Sequence, residues 1–256
     1  MRALFFLALS ACVSPLPEPF VVTDLRIVAL VAEPPEAAPG TDVTLHVYFA
    51  HPATDAPLVR IGRCEDVQDF TCETETELAR GVAEPVGEEL SHFAFVYRLA
   101  ADTPEGNAVL LAHGVSADQH IDGLKRIVVS KGPRARNQNP VLKDVYVLGG
   151  GELLGGVATP PAFVRNTEYQ ALPVYDAETL EPYVITFDDG TQMFTLEEPF
   201  FSWSCTGACT FDTPLSYSFQ SVRMTPKAPS DRFSLYVVMR DGRGGVAFLT
   251  LQSTLE

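Results

Sequence analysis

The chain of 256 residues has no apolar run as long as the roughly 18 residues a bilayer-spanning helix requires. Ala3–Leu9 is too short, and Val21–Ala32 is interrupted by Asp24 and Arg26, so no helical membrane span is expected. Positive charge is scarce: 18 Lys and Arg face 33 Asp and Glu, for a formal charge of -15. Such a surface repels phosphate backbones, and nucleic acid is not expected as a partner. The H-E-x-x-H, G-x-S-x-G, P-loop and G-x-G-x-x-G patterns are missing. The Asp241–Gly245 stretch DGRGG is glycine-rich, but no helix follows it to hold a phosphate. The five histidines, His46, His51, His92, His113 and His120, show no close ligand pairing; His46 and His92 read as solvent-facing strand positions. No cofactor and no metal are expected. The acidic stretches Glu73–Glu77 and Asp188-Asp189-Gly190 lack the spacing of an EF-hand and read as solvated faces, with Ca²⁺ the alternative.

What is present points to β structure. Proline (20) and glycine (18) are spread along the chain as punctuation between short segments, and 46% hydrophobic residues suffice to fill sizeable cores. In DVTLHVYFA, Val43, Leu45, Val47 and Phe49 alternate with Thr44, His46 and Tyr48, which is the period of a half-buried strand. Asp24–Ala32, Leu58–Gly62, Ser91–Ala100, Ala108–Val115 and Leu124–Ser130 are further strands, separated by turn-rich pieces such as DTPEGN and QHIDG. A basic Gly-Pro run, KGPRARNQ at 131–138, interrupts the pattern and reads as a domain linker. The strand pattern then restarts and closes with SLYVVMRDGRGGVAFLTLQ, a hairpin whose glycines supply positive-φ positions. No helical period of useful length appears. The fold class expected is all-β: two immunoglobulin-like antiparallel β-sandwiches in tandem, over 23–130 and 139–256. Trp203, the only tryptophan, is expected in the second core rather than in a sugar-stacking platform.

At the N-terminal end, Arg2, the apolar Ala3–Leu9 and the small Ser10-Ala11 before Cys12 have the layout of an export signal. Leu9-Ser10-Ala11-Cys12 resembles the lipobox of bacterial lipoproteins. That resemblance implies a signal peptide over 1–11, a diacylglycerol thioether on Cys12, and anchorage in a lipid bilayer. Val13 stands where the inner-membrane retention signal places Asp, which implies the outer membrane. Pro15, Pro17 and Pro19 enforce extended backbone, so 12–22 reads as a lipidated Cys followed by a Pro-rich tether. Five cysteines in an exported chain leave one over, Cys12. The others form two close pairs, Cys64 with Cys72 and Cys205 with Cys209, expected as disulfides; their spacing departs from that of zinc knuckles.

IVALVAEPPEAAPGTDVTL, NQNPVL, FFSWSCTGACTFD and LYVVMRDGRGGVAF together resemble a group of outer-membrane lipoproteins from predatory, gliding Gram-negative bacteria. The resemblance implies a lipobox and two immunoglobulin-like sandwiches, and carries over no catalytic residue. The expected function is that of a non-catalytic binding or scaffolding module in the cell envelope, with an envelope or extracellular protein or glycan as partner. The alternatives are an accessory lipoprotein of a secretion or envelope-assembly machine and a hydrolase whose site is assembled across strands. Loops at sandwich ends are the places to look for contacts. They are Arg63–Glu73, Asp188–Gln192 and Asp241–Gly245, with Arg243, Asp188 and Asp189 as candidate partner contacts.

Overall fold

The computed structural model describes residues 19–51, 55–68, 71–132, 136–187, 189–227 and 230–256. In chain order the strands of the first half are β1 (Val21–Val22), β2 (Arg26–Glu33), β3 (Glu36–Ala37), β4 (Asp42–Ala50), β5 (Leu58–Gln68), β6 (Thr71–Val82), β7 (Glu84–Pro85), β8 (Leu90–Arg98), β9 (Gly106–Ser116) and β10 (Gln119–Val129). Those of the second half are β11 (Leu142–Gly149), β12 (Glu152–Gly155), β13 (Tyr169–Tyr175), β14 (Pro182–Thr186), β15 (Gln192–Leu196), β16 (Phe200–Thr206), β17 (Cys209–Phe211), β18 (Leu215–Tyr217), β19 (Val222–Pro226), β20 (Arg232–Arg240) and β21 (Val246–Thr254). Among the described residues there is no α-helix, and no helix long and apolar enough to cross a membrane.

The sheets have immunoglobulin-like connectivity. In the first half, β2-β4-β8-β7 faces β3-β10-β9-β5-β6; in the second, β12-β11-β13-β19-β17 faces β1-β16-β20-β21, with β18 also on β16. β4 shows why: Val43, Leu45, Val47 and Phe49 are fully buried in the first core beside Ile61, Leu110, Ala112 and Ile127. The second core gathers Phe163, Phe201, Trp203, Met224, Phe233 and Leu251. Trp203 is a packing residue on β16, its indole Nε1–H donating to Ser216 Oγ at 2.9 Å.

β20 is apolar on both faces. Phe233, Leu235, Val237 and Met239 enter the second core. Tyr236 and Val238, on the opposite face, pack against Ala29, Ala50 and Leu90 of the first sandwich, with Val246 and Phe248 beside them. That two-sided burial explains the near-continuous apolar run SLYVVM. Each such side chain contributes about 1.5–3 kcal/mol when fully buried. Glu89 adds polar ties across the same junction, its Oε2 accepting from Thr206 Oγ1 at 2.6 Å and Ser234 Oγ at 3.1 Å. An apolar, hydrogen-bonded junction of this kind opposes the relative motion otherwise expected of tandem domains.

Three of the expected segments take a more definite form in the structure. Val21–Val22 ends no tether: it pairs in parallel with Cys205–Thr206, because its two valines are buried against the second half before the chain enters the first. The chain therefore crosses the junction twice. The segment read as an exposed linker at 131–138 is fixed at its end, where Asn137 is fully buried, its N–H donating to Glu36 Oε2 and its side chain to Asp241 Oδ2. Most of Arg63–Glu73 is strand and not loop, since β5 runs to Gln68, β6 begins at Thr71 and Cys64–Cys72 cross-links the two, with residues 69–70 outside the described residues.

Candidate functional site

β14 and β15 form a two-stranded sheet separate from both sandwiches, with Val184 opposite Phe194 and Pro182 opposite Leu196. These four residues share one face by strand alternation. That face is open: Phe194 is 82% exposed, Leu196 56% and Val184 42%. At the tip, Phe187 is also exposed, and Asp189 Oδ1 accepts from the Thr191 amide at 2.9 Å and hydroxyl at 2.6 Å. Thr191 thereby holds Asp189 below the usual carboxylate range. Gly190, at φ +80°, completes the turn. Asp188 lies outside the described residues.

An isolated two-stranded hairpin is marginal in water, and this one is held at its base. Glu181 N–H donates to Glu197 Oε2 at 2.9 Å, and Glu197 N–H to Glu181 O at 3.2 Å. Arg243 closes the base: Nη1 donates to Glu197 Oε1 at 2.9 Å and lies 3.5 Å from Glu181 Oε2, while Nη2 is 3.5 Å from Glu36 Oε2. Its guanidinium also covers the Tyr183 ring at 5.2 Å. Asp241 shapes the loop that carries it, its Oδ1 accepting from Arg243 N at 2.7 Å and Gly245 N at 2.9 Å. A Cβ on Gly245 would stand 2.0 Å from Asp241 Oδ2, so only glycine fits there. Glu36 and Glu197 are almost fully buried, and burial, joined by the nearby Asp241 charge, pushes Glu197 above the usual carboxylate range.

Arg243 therefore differs from the expected free partner contact. The carboxylates it meets belong to its own chain, and it ties the first sandwich, the second and the hairpin together. Sequence reading placed Arg243 and Asp188-Asp189 in one group, and the fold separates Arg243, at the base of the hairpin, from Asp189, at its tip. It missed Phe194, Val184 and Leu196.

Lys125 of β10 also spans the junction, its Nζ donating to Gly244 O at 2.7 Å. Burial pushes it down to about 8, against a smaller opposing pull from Asp241.

The two cysteine pairs form disulfides, with Cα–Cα distances of 5.7 Å for Cys64–Cys72 and 6.5 Å for Cys205–Cys209. The second is in the core and links β16 to β17, strands of opposite sheets. Cys12, the signal stretch 1–11 and the tether to residue 18 lie outside the described residues.

His46 and His92 lie on strand faces away from the core, partly exposed, and the histidines form close contacts across strands. His46 Nδ1 lies 3.0 Å from His92 Nε2 across β4 and β8, and burial together with His46 lowers the His92 pKa. On the outer face of the other sheet, Asp122, His113, Arg60 and Arg80 stand in one row across β10, β9, β5 and β6. His113 Nδ1 is 2.5 Å from Asp122 Oδ1, and His113 Nε2 is 3.0 Å from both oxygens of Glu75 and 2.7 Å from Arg60 Nη2. His120 Nε2 lies 3.3 Å from Asp122 Oδ1.

No known family's sequence profile matches the chain, and no curated protein matches it. The matches among solved structures are of low similarity. The sporulation control protein Spo0M of Bacillus subtilis is 10% identical over 91% of each chain, with a TM-score of 0.31. A chimeric titin Z1Z2 carrying a decorin peptide is 12% identical over 90% of this chain and 98% of its own, with a TM-score of 0.22. Red sea bream transglutaminase is 12% identical over 92% of this chain and 32% of its own, with a TM-score of 0.27.

Proposed function

We propose that this chain is an extracytoplasmic lipoprotein, tethered through Cys12 to the outer membrane, whose locked sandwiches act as a non-catalytic binding module. The observation that carries the reading is the Val184, Phe194 and Leu196 face, standing open on a hairpin whose base is fixed by Arg243. Exposed apolar groups cost solvation, and a contiguous face of them marks a contact surface. Aliphatic and aromatic groups together suit a protein partner, and pre-organisation of the hairpin lowers the entropy lost on binding. Two disulfides suit an oxidising compartment, and the lipobox resemblance supplies the anchor. The partner is accordingly a protein of the envelope or the extracellular space.

The test is affinity capture from the native envelope with the full chain and with a Phe194→Ser, Leu196→Ser form. A partner that is retained by the first and lost with the second supports the reading. Equal capture by both, or turnover of ester, peptide or glycan substrates by the purified chain, counts against it. The rigid junction also suits a subunit of an envelope machine, in which case the partner co-purifies at fixed stoichiometry.

A further inference from the structure

We propose that His113, His120 and Asp122 bind a divalent transition-metal cation of the zinc class on the outer face of the first sandwich. β9 and β10 are joined by the two residues Ala117-Asp118, with Ala117 at φ +51°. This turn sets Asp122 directly opposite His113 and leaves His120 two residues away on the same side of the same strand. The ligating atoms of all three lie within 4.8 Å of one another. Tetrahedral coordination with bonds near 2.0–2.1 Å separates its donors by about 3.3 Å, and His120 Nε2 and Asp122 Oδ1 are already 3.3 Å apart. The closer His113–Asp122 pair has to open, and the two imidazoles, whose ligating atoms lie within 4.8 Å, adjust to the same spacing. Two imidazoles and a carboxylate suit zinc, copper or nickel rather than calcium or magnesium, which prefer an all-oxygen set. His120 and Asp122 are about half exposed, so a cation has access, and the cluster borders a cavity of about 510 Å³.

The surroundings supply the support that a ligating imidazole needs. With the metal on Nδ1 of His113, its Nε2–H faces Glu75, whose two oxygens are each 3.0 Å away. Glu75 is in turn held by Arg60 Nη2 at 3.2 Å. Glu75 reaches His113 by crossing over Gly62 of the intervening strand β5, where a Cβ would lie 1.9 Å from Glu75 Oε1. Gly62 thus keeps open the lane through which the carboxylate passes. In the metal-free chain Nδ1 faces Asp122, and the metal takes the place of that contact. Arg60 Nη2, which also lies 2.7 Å from Nε2, then draws back toward Glu75. The three ligands leave a fourth position for water.

The experiment titrates the full chain in detergent with Co²⁺, read by its visible absorption, and then with Zn²⁺ in competition. ¹⁵N-resolved imidazole spectra are recorded before and after Zn²⁺ is added. One ion per chain is expected, with the N–H of metal-bound His113 on Nε2. His120→Ala removes an exposed ring that supports no core, and it should weaken binding at least about tenfold while leaving the fold unchanged by circular dichroism. Glu75→Gln should weaken it about tenfold through the orientation of His113. Absence of binding, or binding that persists unchanged in His120→Ala, would overturn the proposal. The hairpin face of the second half is not involved, so either reading can fail without the other.

Discussion

At the junction between the sandwiches, Glu36, Lys125, Asn137, Glu197 and Asp241 are buried, while on the adjoining hairpin Val184, Phe194 and Leu196 stand in solvent. Each region inverts the usual distribution of side chains, and the two inversions differ in how they are satisfied. At the junction the charged groups meet opposite charges and amides of the same chain: Arg243 reaches Glu197 and Glu36, and Asn137 reaches Asp241 and Glu36. The apolar face of the hairpin stays open among the described residues. Buried polar groups with partners explain rigidity, and exposed apolar groups without them point to a second molecule. Arg243 belongs to both regions, which is why a hairpin that would be marginal alone presents its face in a fixed orientation.

The largest expected effect comes from removing that link. Arg243→Ala leaves Glu36 and Glu197 buried without their cation, and equilibrium urea denaturation should register a loss of about 3–5 kcal/mol. Proteolysis should become fast within β14 and β15. Arg243→Lys should recover only part of the loss, since a point charge cannot serve Glu36 and Glu197 as a planar fork does. If the alanine form unfolds at the wild-type urea concentration, the junction is not the anchor.

The two disulfides come next. Chain entropy alone assigns about 2 kcal/mol to the Cys205–Cys209 loop and about 2.5 kcal/mol to the longer Cys64–Cys72 loop. Cys205 and Cys209 are also core residues, whereas Cys72 lies on the outer strand of its sheet. Replacing Cys205 and Cys209 together by alanine should therefore destabilise by about 3 kcal/mol, and the same change at Cys64 and Cys72 by about 2.5 kcal/mol. A larger loss at Cys64 and Cys72 would show that the core position adds nothing.

Lys125 gives a pH-dependent comparison. Its folded pKa of about 8 lies below the ordinary lysine value of 10.5. Between these values the unfolded chain binds more protons, so stability gains from this group as pH rises. Relative to Lys125→Met, the wild-type chain should gain about 2 kcal/mol between pH 7.5 and pH 10. A difference that stays flat over this range would contradict the buried-ammonium account.

Much of the fold was legible because strand alternation is local. Val43–Phe49 announces its buried face, the two cysteine pairs are near neighbours, and Trp203 lies where a sandwich core takes one. What could not be read depends on distant pairing. The partners of Arg243 lie 46 and 207 residues away, so its position in a glycine-rich turn suggested freedom. The grouping of His113, His120 and Asp122 was hidden because QHIDG looks like a turn. The reversal actually occurs at Ala117-Asp118, with an alanine in the left-handed region that glycine usually marks. Counting by two from a turn placed there would have put all three residues on one face. The alternation of PYVIT and QMFTL was also visible, but it could not say that one face stays open among the described residues.

The smallest expected effect on stability tests the central claim most directly. Phe194 is replaced by a photo-crosslinking phenylalanine analogue in the full chain in its native envelope, with the same analogue at Val96, an exposed residue of the first sandwich, as the control. The account predicts a discrete crosslinked protein from position 194 and none from position 96, with the urea midpoint unchanged. Identical crosslinking patterns at the two positions would contradict it.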